Sequence, residues 1–113
     1  MIEKTVLDYL EDNLNVGVYL EQPPNPATTY LLIDKTGSYE EEDGLLKNAT
    51  VAIQSYAGSL YDACELNEQV KTAMRDIDTL DGVCRCSLNS DYNYTDSETK
   101  RYRYQAVFDI VHY

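Results

Sequence analysis

The chain has no tryptophan, one phenylalanine (Phe108), one histidine (His112) and three prolines. Positive charge is also scarce: 9 Lys plus Arg stand against 20 Asp plus Glu, a formal net charge of −11. Such a balance argues against gripping nucleic acid or an anionic membrane, because an acidic surface repels phosphate. Nowhere do about 18 apolar residues run together, so no membrane-spanning helix is predicted. The opening Met1-Ile2-Glu3-Lys4 lacks the basic stretch and apolar run of a secretory signal, and none is expected. Catalytic signatures are missing too: there is no GxGxxG, no P-loop, no HExxH and no GxSxG elbow. Three cysteines make an odd number, which fits reduced thiols and not a disulfide framework.

What is present fits one folded unit. The 113 residues lie in the usual single-domain range, and 43% are hydrophobic, so a real core is possible. Eleven tyrosines dominate the aromatics; tyrosine pairs an apolar ring with a polar tip and suits both strands and protein interfaces. Residues 2–13 have the spacing of an amphipathic helix, with Ile2, Val6, Tyr9 and Leu10 on one side. Residues 16–20 predict a short strand, and Gln22-Pro23-Pro24-Asn25-Pro26 a loop. Residues 29–34 predict a second strand, followed by a polar loop from Lys35 through Gly44. Residues 48–57 predict a third strand, with Val51 and Ile53 on one face and Thr50, Ala52, Gln54 and Tyr56 on the other. Ser59 is placed to cap a long helix that ends near Leu80, with Leu60, Ala63, Cys64, Val70, Ala73, Met74 and Ile77 as its apolar stripe. Two strands follow, 83–90 and 100–113, joined by a mobile-looking loop over 89–97. The order α-β-β-β-α-β-β in hairpin-linked groups predicts an α+β fold: a mostly antiparallel sheet with helices packed on one face.

Three features invite a chemical reading. Cys84-Arg85-Cys86 places two sulfurs on one side of a strand, with Cys64 on the helix able to face them. Zinc needs a fourth ligand, and His112 is the sole histidine, so the cysteines are expected to be small buried hydrophobes with no metal or cofactor bound. The run Glu40-Glu41-Glu42-Asp43 lacks the alternating ligands of a calcium loop and is expected to be solvated, or to form an electrostatic surface. Lys100, Arg101 and Arg103, interleaved with Tyr102 and Tyr104, make a small basic patch in an acidic chain. Either these are ordinary solvent-facing charges, or they form a subunit interface that meets an acidic neighbour.

The stretches Val6–Leu10, 29–33, Ala49-Thr50-Val51-Ala52-Ile53-Gln54-Ser55-Tyr56 running directly into the helix over 60–74, and the C-terminal strand pair resemble the tail terminator proteins of long-tailed bacteriophages with non-contractile tails. The likeness spans nearly the whole chain as a pattern of size, order and strand-to-helix junction, without a diagnostic signature. It implies a structural virion protein with no catalytic residue, assembled in the host bacterial cytoplasm and resident in the tail–neck region. Its copies would form a hexameric ring that caps the tail tube protein, docks the head connector or neck protein, and lets DNA pass without specific binding. Glu40, Glu41, Glu42 and Asp43 would then line or border the channel, where repulsion of DNA reaches about 8–10 Å at physiological salt. Three other readings compete. They are a head-completion protein of similar fold, an acidic DNA mimic that inhibits a DNA-binding protein, and a small-ligand enzyme or binding domain. The acids here are scattered, not spaced like phosphates, and nothing in the sequence places a polar cleft.

Overall fold

The computed structural model describes residues 1–42 and 44–113. Helix α1 (Ile2–Asn13) is followed by strands β1 (Gly17–Tyr19), β2 (Tyr30–Glu40) and β3 (Lys47–Tyr56), helix α2 (Leu60–Met74), a 3-10 turn (Ile77–Thr79), and strands β4 (Val83–Asn93) and β5 (Arg103–His112). The strands form one sheet in the order β1-β2-β3-β5-β4. The fold is therefore α+β with a mixed five-stranded sheet. The predicted order and antiparallel character are matched in part, since a 3-10 turn intervenes and β1 pairs with β2 in parallel. A parallel pair normally needs a helical crossover. Here β1 has only three residues, so the proline-bearing segment 20–29 has to carry the chain back only about 10 Å.

The helices and the sheet meet through a strict alternation in β3 and β5. Ile53 lies opposite Ala106, Val51 opposite Phe108 and Ala49 opposite Ile110, and all six are buried. Leu31 and Ile33 of β2 continue this face. Against it pack Ile2, Val6 and Leu10 of α1 and Leu66, Val70 and Met74 of α2, one contiguous core. Their spacing of four residues is what brings them onto one helix face. Ser59 caps α2, its hydroxyl accepting from the Asp62 amide at 3.1 Å. Deeper along α2, buried Asn67 donates to Asp91 on β4 at 2.9 Å, and Lys71 donates to the same carboxylate oxygen at 2.9 Å.

Several boundaries differ from those predicted. β2 runs on to Glu40 through residues assigned above to a polar loop. Those residues are exposed, and β3 holds them by its backbone ladder, residue for residue, across one bulge between Lys35 and Gly37. α2 ends at Met74 and not near Leu80, because the following 3-10 turn lets Ile77 drop into the core. Leu60, placed in the apolar stripe by its spacing, is exposed, whereas Leu66 and Asn67 are buried. β4 continues to Asn93, and the segment after it is tied down. The Lys100 amide donates to the Asp96 carbonyl at 2.9 Å, and Asp96 pairs with Arg101 as an isolated bridge. The Glu98 amide donates to the Asp96 side chain, and this bond leads in holding that carboxyl below the usual range.

Leu10 is fully enclosed, so Leu10→Ala is expected to cost roughly 2–5 kcal/mol in urea unfolding, whereas Ser59→Ala should cost only about 1 kcal/mol. Equal losses in the two variants would mean that α1 does not depend on the shared core.

Candidate functional site

The opposite face of the sheet carries no helix. Its first row runs across three strands in register, Tyr30 of β2, Tyr56 of β3 and Arg103 of β5. The next row is Leu32, Gln54, Gln105 and, on β4, Tyr92. Tyr30 and Tyr56 stack with ring centroids 4.5 Å apart and planes 5° from parallel. Tyr19 meets Tyr30 edge-on at 6.0 Å. That ring folds back over Gly17 so closely that a Cβ there would lie 2.8 Å from the Tyr19 hydroxyl, so any side chain at this position would displace the ring. Tyr30 is 2% exposed and Tyr56 5%, so this face buries aromatic surface without a second layer.

Polar groups organise the rest. Arg103 Nη1 donates to Tyr56 Oη at 2.8 Å, Tyr56 Oη donates to Gln54 Oε1 at 3.1 Å, and Gln54 Nε2 donates to Gln105 Oε1 at 2.9 Å. Gln105 Nε2 in turn donates to Tyr92 Oη. The relay joins β5, β3 and β4, and each amide is oriented by the donor before it. Two guanidinium groups lie against the rings: Arg101 is 5.1 Å from the Tyr56 centroid, and Arg103 is 4.4 Å from that of Tyr94. Gln22 and Arg101 both donate to Tyr30 Oη. Beside this cluster opens a groove of about 420 Å³. Pro23, Pro24 and Pro26 form one wall, Tyr30 and Tyr56 the floor, and Lys100 and Arg101 the other side.

The predicted basic–aromatic set is thus divided. Arg101 and Arg103 converge on the Tyr56 ring. Lys100, at φ 57°, and Tyr102 line the groove, and the Tyr102 carbonyl accepts from the Ala57 amide at 3.2 Å. Tyr104 belongs to the other face: it lies opposite Ser55, and its hydroxyl pairs with the Cys64 thiol, which leads in raising the pKa of that phenol. The acidic run lies at the far end of β2. Glu40 is the last strand residue, opposite Lys47, and Glu41 accepts a side-chain bond from Asn48 at 2.9 Å. Glu42 is exposed, and Asp43 lies outside the described residues. Tyr19, Tyr30 and Gln105 escaped the sequence reading. Their signal was pairing between distant strands, which composition does not carry, although the polar face of β3 itself was visible as an alternation.

The cysteines depart from expectation as well. Cys84 is exposed and Cys64 and Cys86 are only partly covered. Cys84 sits in a bulge between Val83 and Arg85, which breaks the alternation that would have aligned it with Cys86. Among the described residues no three His, Cys, Asp or Glu side chains gather into a group able to hold a metal, and no helix is long and apolar enough to cross a membrane. Burial pushes the Cys86 thiol up to about 12, with Asp78 and Asp109 adding to the shift.

Because the thiol's ordinary value is 9.0, between that pH and about 12 the folded chain keeps a proton that the unfolded chain has lost. Stability should therefore fall as pH rises through this window. Urea midpoints taken from about pH 8 to about pH 11 are expected to drop more steeply for the wild type than for Cys86→Ala, and parallel curves would contradict the burial assigned to this thiol. At about pH 8 an alkylating reagent should label exposed Cys84 first and Cys86 last. No protein-family model matches the chain, and no curated protein matches it.

Proposed function

We propose that this chain is a structural assembly protein of the tail-terminator type, which acts by binding protein chains and catalyses no reaction of its own. In this reading its copies close into a ring, hexameric as in the family it resembles, that caps the tail tube and then joins the tube to the head connector. The observation that carries the reading is the helix-free face of the sheet. Buried tyrosines clamped by Arg101 and Arg103, with a polar relay beside them, supply the aromatic and arginine side chains in which protein interfaces are enriched. A rigid floor of this kind loses little side-chain freedom on docking, since its rotamers are already held by hydrogen bonds. Closed rings need heterologous contacts between different patches of identical chains, and a chain with two unlike sheet faces and two unlike ends has such patches. The net charge of −11 suits a bore through which DNA slides, since the walls do not hold phosphate.

The test is native mass across a concentration series by light scattering, with negative-stain images, in the absence and presence of purified tail tubes. The expected result is rings of about six copies, seated on tube ends. A protein that ignores tubes and binds the head connector alone would move the assignment to a head-completion protein. One that stays monomeric and binds a basic DNA-binding protein in a salt-dependent way would make it a DNA mimic.

A further inference from the structure

Among the described residues, ion pairs involve Lys4, Lys35 and Lys71. Lys100, Arg101 and Arg103 have no carboxylate among the described residues within ion-pair distance, although the chain carries 20 acidic residues. Three of its nine cations thus stand together, two of them on a proline- and tyrosine-lined groove. At the other end of the same strands, the β2–β3 turn presents Glu40, Glu41 and Glu42, all exposed. Two backbone bonds tie the described residues on either side of the turn: the Glu41 amide donates to the Leu46 carbonyl and the Gly44 amide to the Glu41 carbonyl, both at 2.9 Å. Tyr39, 65% exposed, lies next to the carboxylates.

Groove and turn cannot meet within one molecule. Tyr30 starts β2 and Glu40 ends it, ten strand residues further on, a separation of about 33 Å in a molecule 46 Å long. That is several screening lengths at physiological salt, so each patch faces the other only across two chains. We propose that the groove formed by Pro23, Pro24, Pro26, Tyr30, Lys100 and Arg101 receives the acidic turn of a second copy of this chain. The carboxylates of the turn pair with Lys100 and Arg101, and the Tyr39 ring packs on the proline wall. The contact joins one end of a chain to the other end of the next, so it is heterologous and propagates as a ring or a filament. This rests on the assembly reading above and assigns its subunit contact. It also moves the acidic turn from the channel, where the family resemblance put it, into the interface.

Two variants and their mixture test it, with sedimentation velocity as the readout. The groove variant is Lys100→Glu with Arg101→Glu. The turn variant is Glu40→Gln, Glu41→Gln and Glu42→Gln, which keeps side-chain length and leaves residue 41 able to accept from Asn48. Wild type is expected to associate beyond a dimer, and each variant alone to associate roughly 100-fold more weakly. Their equimolar mixture should stop at a one-to-one dimer. The wild-type turn of one variant fits the wild-type groove of the other, while the remaining groove and turn cannot pair. Formation of that dimer also shows that both variants are folded; should the groove variant lose its far-UV circular dichroism, Arg101→Gln alone replaces it, and should the turn variant do so, Glu42→Gln alone replaces that one. Wild type that remains monomeric at every concentration overturns the inference, as does wild-type-like assembly of either variant or a mixture that grows past the dimer. Failure here is separable from failure of the assembly reading. Variants that still form rings on tail tubes, with DNA passage slowed by the neutralised turn, return the turn to the channel and leave the tail-terminator assignment standing. Wild-type rings that ignore tubes remove that assignment and leave the groove contact intact.

Discussion

β3 is hydrogen-bonded along both edges, to β2 on one side and β5 on the other, residue by residue from Lys47 to Tyr56. A slip of one residue in either ladder would turn Ala49, Val51 and Ile53 toward solvent and Gln54 and Tyr56 toward the helices. Register is therefore worth the whole core. Burying six strand side chains against α1 and α2 selects one pairing, and that same pairing aligns Tyr30, Tyr56 and Arg103 in a row on the opposite face. The aromatic cluster is thus positioned by hydrophobic burial on the side it does not occupy. Its own bonds, a stack and two guanidinium contacts, are each of order 1 kcal/mol, too weak to choose a register unaided.

The two faces solve the problem of burial differently. On the helix side, apolar side chains interlock and the few polar groups are only partly paired: Asn67 and Lys71 share the Asp91 carboxylate, while Ser55 Oγ and Asn67 Oδ1 have no partner among the described residues. On the open side, rings lie flat on one another and their hydroxyls point into a relay of amides and guanidiniums. That surface is already satisfied in its hydrogen bonds, so covering it requires little further desolvation of unpaired groups. A face of this kind is stable when bare and still favourable to cover, as the proposed assembly would require.

Much of this was legible in the sequence wherever one element decides for itself. The apolar spacing of α1, the alternation of β3 and the Ser59 cap each depend on neighbours within a few residues. β2 beyond Asp34 was not legible, because Lys35–Glu40 has no apolar face and is a strand only through its partner. The end of α2 was misplaced for a related reason: Ile77 keeps the helical apolar spacing while the backbone has already tightened into a 3-10 turn. For the candidate site, Arg101 and Arg103 stood out as cations in an acidic chain, and Tyr102 with Tyr104 as their neighbours. Tyr104 fell on the wrong face because strand alternation separates it from Arg103. Tyr30, which completes the cluster, lies 71 residues from Arg101 in the chain, and only the strand order brings them together.

The charge of the chain and its proposed assembly pull against each other, and distance decides between them. Two copies at −11 repel at long range, and mobile ions cut that repulsion to a reach of about 8 Å at physiological salt. An ion pair formed in the groove acts at contact, well inside one screening length, so it is screened less than the repulsion between whole chains. The general repulsion therefore disfavours every approach in which the groove is not filled, including face-to-face stacking of identical acidic surfaces. The head-to-tail contact alone offsets it, by matching cations that have no carboxylate within ion-pair distance among the described residues with carboxylates that project from the far end of the molecule. Charge in this reading does less to strengthen the assembly than to narrow it to one geometry, and a ring whose subunits must all point the same way needs that narrowing more than it needs affinity.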